Sequence, residues 1–372
     1  MARLVAIGTA VPPYEVQQSE AQSFAKELFS RSFRDIQRLL PLFEHTGIMK
    51  RRFSRPRSWF EEEHSFAEKN NAYIETACQL GEAAIRRCLA QCGLDVTEID
   101  HLIFVSTTGM ATPSIDARLV HRMGINPHVK RTPIWGLGCA GGVVGLARAF
   151  ESAQAIPAQK VVLLTVECCG LTFRRNDLSK SNLVATSLFA DGAAAALVVG
   201  EDVKLAHVQT CPTMVGTMST ILPDSLDVMG WDFLDDGLKV IFSKEIPVLV
   251  RKEIRPLVID FINKYQLTLD DIDHYITHPG GRKVLEAYQE ALGLSKESFS
   301  HAYQVLQQYG NMSAVTVLFV LAEELKQQRK KQEYGLVSAL GPGFSAEFLL
   351  LKWDEPTATT KEKRQGENFY YV

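Results

Sequence analysis

The chain has 372 residues, with 40 Lys and Arg against 43 Asp and Glu, for a formal net charge of −3. Balanced charge excludes the basic face of a general nucleic-acid binder, and 46% hydrophobic with 22% charged residues excludes disorder along the whole chain. The length predicts two domains or one large duplicated unit, with a core that needs no disulfide staples.

The apolar stretch Met1–Val11 ends at Pro12-Pro13, too short for a secretory leader. Helical periodicity follows over Ala21–Leu40 and Asn71–Gly93, where Cys88 and Cys92 share a face and read as core. A strand is expected at Leu102–Val105, a helix at Gly141–Ala155, and strands at Val161–Val166 and Ala193–Val199. Then come helix Val248–Tyr265, strand His274–Thr277, helices Arg282–Leu292 and Ser313–Gln328, and strand Leu336–Leu340. This alternation predicts an α/β protein. No apolar run is long enough to span a membrane. The seven cysteines include no CxxC pair, so neither a metal site nor a redox loop is expected, and reduced thiols point to the cytoplasm.

An internal repeat organises the chain. Residues 94–103 read LDVTEIDHLI and residues 267–276 read LTLDDIDHYI. Cys139 follows Asp100 by 39 residues, and Asn311 follows Asp273 by 38. Each landmark stands at a Gly-containing bend read as strand-to-helix, GLGCAGGVVGL and QYGNMSAVTVL. Two related halves follow, 1–203 and 204–353, with a polar tail at 354–372. A pseudo-twofold relation would bring equivalent helix N-termini together.

Three residues stand out chemically. Cys139, flanked by glycines at a helix start, is placed to be ionised by the helix dipole and approached by a substrate. His278, in Thr-His-Pro-Gly-Gly, ends a strand and opens a loop, where α/β folds place chemistry, although a lone histidine is usually a satisfied core or surface residue. Asn311 reads as a helix cap, or as a hydrogen-bond donor to a developing oxyanion. Gly136–Gly141 also spells GxGxxG, with Glu167 near the spacing of a ribose-binding carboxylate. The strand before it, Arg131–Trp135, is a poor buried parallel strand, which argues against a dinucleotide site. Cys, His and Asn in this order also suit a papain-like hydrolase. The flanking residues that family requires are absent, and there is no GxSxG for a serine hydrolase.

Six short motifs carry a specific resemblance: Met49-Lys-Arg-Arg, Gly138-Cys-Ala-Gly-Gly, Ser187-Leu-Phe-Ala-Asp-Gly-Ala-Ala-Ala, His278-Pro-Gly-Gly, Tyr309-Gly-Asn-Met-Ser and Gly341-Pro-Gly-Phe. In this order they resemble the type III polyketide synthases, chalcone-synthase-like members of the thiolase superfamily, over nearly the whole chain. The resemblance implies a five-layered thiolase-like αβαβα fold from two pseudo-symmetric halves, and an acyltransferase. Such an enzyme condenses malonyl-CoA onto an acyl-CoA starter by decarboxylative Claisen chemistry, with no metal or organic cofactor. It implies Cys139 as nucleophile with His278 and Asn311 as partners, and Phe189 as gatekeeper. Thr107, Thr108, Cys169, Thr172, Ala185, Trp231 and Ser313 fall at cavity positions, as does the loop Gly341, Pro342, Gly343 and Phe344. Thr112 matches a position that reaches into a neighbouring subunit, implying a homodimer. The β-ketoacyl synthase III branch shares the three catalytic types, but its histidine is usually followed by Gln-Ala-Asn rather than Pro279-Gly-Gly.

Departures from the family bear on substrate. The positions that carry basic residues for coenzyme A phosphates are Leu39, Leu42 and Thr46 here, leaving Arg38, Lys50, Arg51, Arg282 and Lys283 as candidates. Cys169 replaces a threonine and Ala185 a glycine, and Trp231 could block the space that a coumaroyl group uses. The surroundings of Cys139 and of Gly341–Phe344 resemble those of bacterial alkylpyrone synthases. This implies long fatty acyl-CoA starters and alkylpyrone or alkylresorcinol products, with a malonyl-primed tetrahydroxynaphthalene-type synthase as the alternative.

Overall fold

The computed structural model describes residues 1–353 apart from 31, 34, 206–210, 328, 330 and 331, so the expected tail lies outside the described residues. The first half runs β1 (Arg3–Ala10), β2 (Tyr14–Gln17), α1 (Gln18–Phe29), α2 (Pro41–His45), β3 (Lys50–Phe53), α3 (Arg57–Phe60), α4 (Phe66–Ala90), β4 (His101–Ser106), α5 (Ile115–Met123), β5 (Lys130–Trp135), α6 (Gly141–Ala155), β6 (Lys160–Cys168), α7 (Lys180–Leu188) and β7 (Asp191–Val199). The second runs β8 (Thr213–Ile221), β9 (Met229–Leu234), β10 (Gly237–Phe242), α8 (Ile246–Asn263), β11 (Ile272–Thr277), α9 (Arg282–Leu292), α10 (Ser300–Tyr309), α11 (Thr316–Leu325), β12 (Glu333–Gly341) and β13 (Ser345–Trp353).

Strand order is β11-β12-β13-β8-β1-β7-β6-β4-β5, but β1 meets β8 only at the Arg3–Thr213 pair, so two sheets touch at one corner. Helices α6 and α11 lie between them, each touching strands of both. Helices α4 and α5 cover the outer face of the first sheet, and α8 with α9 that of the second. The result is the five-layered thiolase-like αβαβα arrangement. Strand β7 is buried along its whole length and is built of Gly, Ala, Leu and Val after Asp191, as a strand covered on both faces should be. At Gly8 a Cβ would come within 2.3 Å of the α4 backbone, so only glycine lets α4 lie this close to β1.

The sequence repeat is a structural repeat. Asp95 and Thr268 cap matching 3₁₀ turns, Val96–Glu98 and Leu269–Asp271, just before β4 and β11. Asp100 Oδ2 accepts from Lys160 N at 2.7 Å and Asp273 Oδ2 from Tyr334 N at 2.8 Å. Each aspartate thereby ties its strand to the start of the neighbouring parallel strand, β6 or β12. Downstream, a 3₁₀ turn at Gly138–Ala140 leads straight into α6, one at Ser313–Val315 leads into α11, and the two turns pack together.

Three local expectations change. The Ala21–Leu40 helix stops at Phe29, where Ser30, Ser32 and Asp35 compete with the helical backbone, and only a 3₁₀ turn at Ile36–Arg38 follows. Asn311 is preceded by helix α10 rather than a strand, and joins the fold through an isolated bridge to Phe189. The helix expected over Ser313–Gln328 divides into the 3₁₀ turn and α11. Strand β5, with Pro133, is a half-exposed sheet edge, as its composition suggested.

Candidate active site

Cys139 sits inside the turn between β5 and α6. Gly138 adopts φ +47°, and a Cβ there would stand 2.7 Å from Pro342 Cδ, so the bend requires glycine on two counts. The Gly341–Phe344 loop thus packs directly on the turn that carries the nucleophile: a Cβ at Gly341 would meet Ala140 Cβ at 2.5 Å. From below, Thr107 Oγ1 accepts from Gly138 N at 3.0 Å.

Cys139 Sγ lies 4.0 Å from Asn311 Oδ1. That oxygen also accepts from Ser313 N at 2.8 Å, and Asn311 Nδ2 donates to Gly280 O at 3.1 Å. Gly280 N in turn donates to His278 O, and His278 N donates to Ser338 O on β12. The three residues named from sequence are therefore gathered around one hydrogen-bonded loop. His278 is 4% exposed, yet neither Nδ1 nor Nε2 has a partner among the described residues. A structural histidine would be satisfied; this one is buried with both nitrogens free.

Burial dominates the electrostatics. It pushes the Cys139 thiol up to about 12, outweighing the Ser313 hydroxyl and Asn311 amide that favour the thiolate, while the Glu167 carboxylate adds to the rise. It pulls the His278 imidazole down to about 3. The helix start favours the thiolate, and burial at the closed site opposes it. Burial thus favours the neutral form of both groups near neutrality.

Glu167 is no ribose ligand. It is fully buried beneath the site, its Oε2 accepting from Thr107 N, Thr108 N and Thr108 Oγ1 at 3.0, 3.1 and 2.7 Å. Its Oε1 has no partner among the described residues, and burial raises its carboxyl to about 7. Thr107 and Thr108 therefore hold the nucleophile's foundation, a role sequence reasoning missed. The only signal was a carboxylate at the end of an apolar strand.

Phe189 closes the other side. It bridges to Asn311 through the backbone and packs its ring against Trp231 at 6.0 Å and Phe242 at 5.6 Å, with Cys169, Ala185 and Val240 in the same cluster. Beyond this cluster lies a pocket that is partly open to solvent and encloses about 90 Å³. Cys169, Thr172, Ala185, Phe189 and Trp231 all line it, as expected; Thr107, Thr108, Ser313 and Gly341–Phe344 do not. Ser313, at φ +49°, instead stands beside Cys139.

Arg51 is corrected. It is 1% exposed, and its Nη1 donates to Thr186 O and Phe189 O at 2.8 and 2.7 Å. It anchors the gate's backbone and cannot meet a phosphate at the surface; burial lowers it to about 9. Lys50 pairs with Glu15, Arg38 with Asp35 and Arg282 with Glu286, while Lys283 is exposed. Thr46 is buried and bonded to Phe43 O, and Leu39 and Leu42 pack on a local core, which agrees with the failed carry-over of phosphate contacts. Thr112, before a cis proline, is exposed. Among the described residues no cluster could hold a metal and no helix is long and apolar enough to cross a membrane.

The family model for the N-terminal domain of chalcone and stilbene synthases matches residues 1–203, and that for the C-terminal domain matches 213–353. The chain belongs to the chalcone and stilbene synthase family. It is a type III polyketide synthase, an acyltransferase-type condensing enzyme. A Bacillus subtilis (strain 168) protein with a provisional chalcone synthase assignment is 46% identical over 95% of this chain and 100% of its own length. The 1,3,6,8-tetrahydroxynaphthalene synthase of Streptomyces peucetius subsp. caesius is 36% identical over 94% of this chain and 93% of its own. The crystal structure of the Streptomyces coelicolor A3(2) enzyme of that name superposes with a TM-score of 0.89 at 27% identity, covering 95% of this chain and 100% of that one.

Proposed function

We propose that this polyketide synthase is primed by long-chain fatty acyl-CoA, extends it with malonyl-CoA and releases alkylpyrones or alkylresorcinols. The observation that carries this reading is the cavity beyond Phe189. Its lining includes Cys169, Ala185 and Val240 with Phe24, Phe53, Phe60 and Phe173, beside the buried Arg51 side chain. An aliphatic chain gains about 0.8 kcal/mol per methylene from such a wall, before ordering costs.

On this reading Cys139 passes its proton to His278 and the thiolate attacks the acyl-CoA thioester, releasing coenzyme A, whose sulfur takes the proton back from the imidazolium. Malonyl-CoA then loses CO2, leaving the electron pair on the thioester as an enolate. The one ring N–H of neutral His278 and the second amide hydrogen of Asn311 stabilise its oxygen. The enolate carbon attacks the acyl-Cys139 carbonyl, forming the new carbon–carbon bond and freeing the sulfur. Arg282 and Lys283, at the exposed start of α9 beside the His278 loop, are the cations assigned to coenzyme A. Gly47 borders that entrance, since a Cβ there would stand 3.7 Å from Arg282 Cδ. Exposed Met110, Trp135 and Phe233 around Thr112 support a homodimer.

A malonyl-primed tetrahydroxynaphthalene-type reaction is the second reading, favoured by the names of the relatives. One assay separates the two: purified enzyme, malonyl-CoA and starters from two to eighteen carbons, with products identified by mass. Preference for malonyl-CoA as primer overturns the long-chain assignment.

A further inference from the structure

The last carbonyls of a helix have no partner within it, and those of α7 are met by four different groups. Ala185 O accepts from Phe189 N at 2.9 Å. Thr186 O accepts from Arg51 Nη1 at 2.8 Å, Ser187 O from Gln18 Nε2 at 2.9 Å, and Leu188 O from Asn311 N at 2.9 Å. The helix that leads to Phe189 therefore ends on a residue of the catalytic site and on a buried cation. A cation is favourable at a helix C-terminus, and Arg51 fills that place from β3.

Arg51 also reaches both sides of the junction that follows. The same Nη1 donates to Phe189 O at 2.7 Å, and Ala190 N donates to Asn311 O at 2.9 Å. The Phe189–Ala190 peptide unit is thus held at both ends, by Arg51 at its oxygen and by the Asn311 carbonyl at its N–H. On the Asn311 side the Arg51 stem packs against Gly310, where a Cβ would stand 2.8 Å from Arg51 Cγ and Cδ. Arg51 Nε and Nη2 have no partner among the described residues. Burying a guanidinium with donors unused is costly, and a helix end needs no more than a surface lysine or water. The cost is carried where Phe189 and Asn311 meet.

We propose that Arg51 is a positioning residue that fixes Phe189 against Asn311 and thereby ties the loss of CO2 to carbon–carbon bond formation. This inference rests on the reading of Asn311 as a donor to the enolate and extends it. Loss of CO2 leaves the electron pair on the thioester, and the enolate carbon then has two fates. It attacks the acyl-Cys139 carbonyl, forming the carbon–carbon bond and breaking the carbon–sulfur bond, or it takes a proton from water and leaves as acetyl-CoA. The first fate needs the enolate held within bonding distance, whereas the second needs only time and water. Motion between Phe189 and Asn311 favours the second.

The test uses purified full-length enzyme and malonyl-CoA labelled at C2, with and without a twelve-carbon acyl-CoA. Both fates retain the label, so its partition between acetyl-CoA and polyketide gives their ratio directly. In Arg51→Met acetyl-CoA per carbon–carbon bond should rise by about tenfold or more, because misplacement penalises bond formation far more than protonation. Arg51→Lys, which keeps the charge on a shorter reach, should raise it by about threefold. A merely structural cap would lower the amount of folded enzyme, and both products with it, at an unchanged ratio. Gln18→Leu removes the donor to Ser187 O alone at this helix end; it should lower Tm and leave the ratio within about twofold of wild type. A constant ratio in both Arg51 variants overturns the proposal, and so does an equal rise in Gln18→Leu. If Arg51→Met does not fold, Arg51→Lys decides, an unchanged ratio there overturning it. Asn311→Ala tests the underlying reading separately: wild-type rates of both products would show that Asn311 is not the enolate donor.

Discussion

Replacing His278 by Leu should convert Cys139 from a pH-independent nucleophile into one that must ionise against burial. Leu rather than Ala is the informative change, because it fills the space and keeps water out. With no imidazole to take the proton, burial holds the thiol at about 12. At pH 8 the thiolate fraction is then about 10⁻⁴, rising tenfold per pH unit. If His278 takes the proton, as proposed, and the ion pair offsets the cost of burial, the reactive pair forms internally and its population does not follow bulk pH. The assay is iodoacetamide alkylation followed by intact and peptide mass between pH 6 and 10, with buried Cys88 and Cys168 as internal controls. The wild type should label Cys139 at a nearly constant rate. The variant should be slower by at least about a hundredfold at pH 7 and climb with slope one. Equal labelling of the two proteins at pH 7 would show that His278 does not receive the proton.

Cys139→Ala should abolish polyketide formation yet retain malonyl-CoA decarboxylation, measured as released CO2, because His278 and Asn311 remain. Asn311→Ala should lower the condensation rate by about 10²–10³, the usual loss for one oxyanion donor, while single-turnover acylation of Cys139 falls less. Cys169→Phe or Ala185→Leu should shift the starter profile towards shorter chains in the same competition assay, with short starters unaffected. Glu167 carries a raised carboxyl, about 7, so the folded state retains a proton that the unfolded chain releases. Its destabilising effect is absent below the ordinary carboxylate range and complete above about pH 7. The Tm advantage of Glu167→Gln over wild type should therefore grow between pH 5 and 8; a constant gap would contradict the buried-carboxyl account.

Much of this was legible in one dimension because the fold is a duplication. The paired Ile-Asp-His segments announced two equivalent strands, and the matched spacing to Cys139 and Asn311 announced two turns that meet. The helix break after Phe29 was legible only in part, since periodicity survives in the apolar residues that follow while the backbone does not. The buried roles of Arg51 and Glu167 were not legible, for one shared reason. Charged residues at strand ends read as surface or ligand groups, and only tertiary packing reveals that one grips the Phe189 carbonyl and the other gathers the Thr107 and Thr108 amides. The β9–β10 hairpin, which brings Trp231 and Val240 to the gate, lacks the regular apolar alternation that would mark it.

On the proposed mechanism, burial also bears on how these three residues serve two steps that each place negative charge in the site. A thiolate must form for acylation, whereas the decarboxylation that follows places negative charge on a thioester oxygen. In a wet site both would be stabilised indiscriminately by solvent. Here the site is buried, and among the described residues the donors left without a partner near Cys139 include the one ring N–H of neutral His278 and one amide hydrogen of Asn311. Once Cys139 is acylated and its proton has left with coenzyme A, those donors are available to the next anion to arrive. On the proposed mechanism, a malonyl carboxylate brought past the Phe189 ring loses hydration, and expelling it as neutral CO2 moves its charge to the oxygen that His278 and Asn311 can reach. The neutral resting pair is therefore what lets one small set of donors serve the thiolate first and the enolate afterwards.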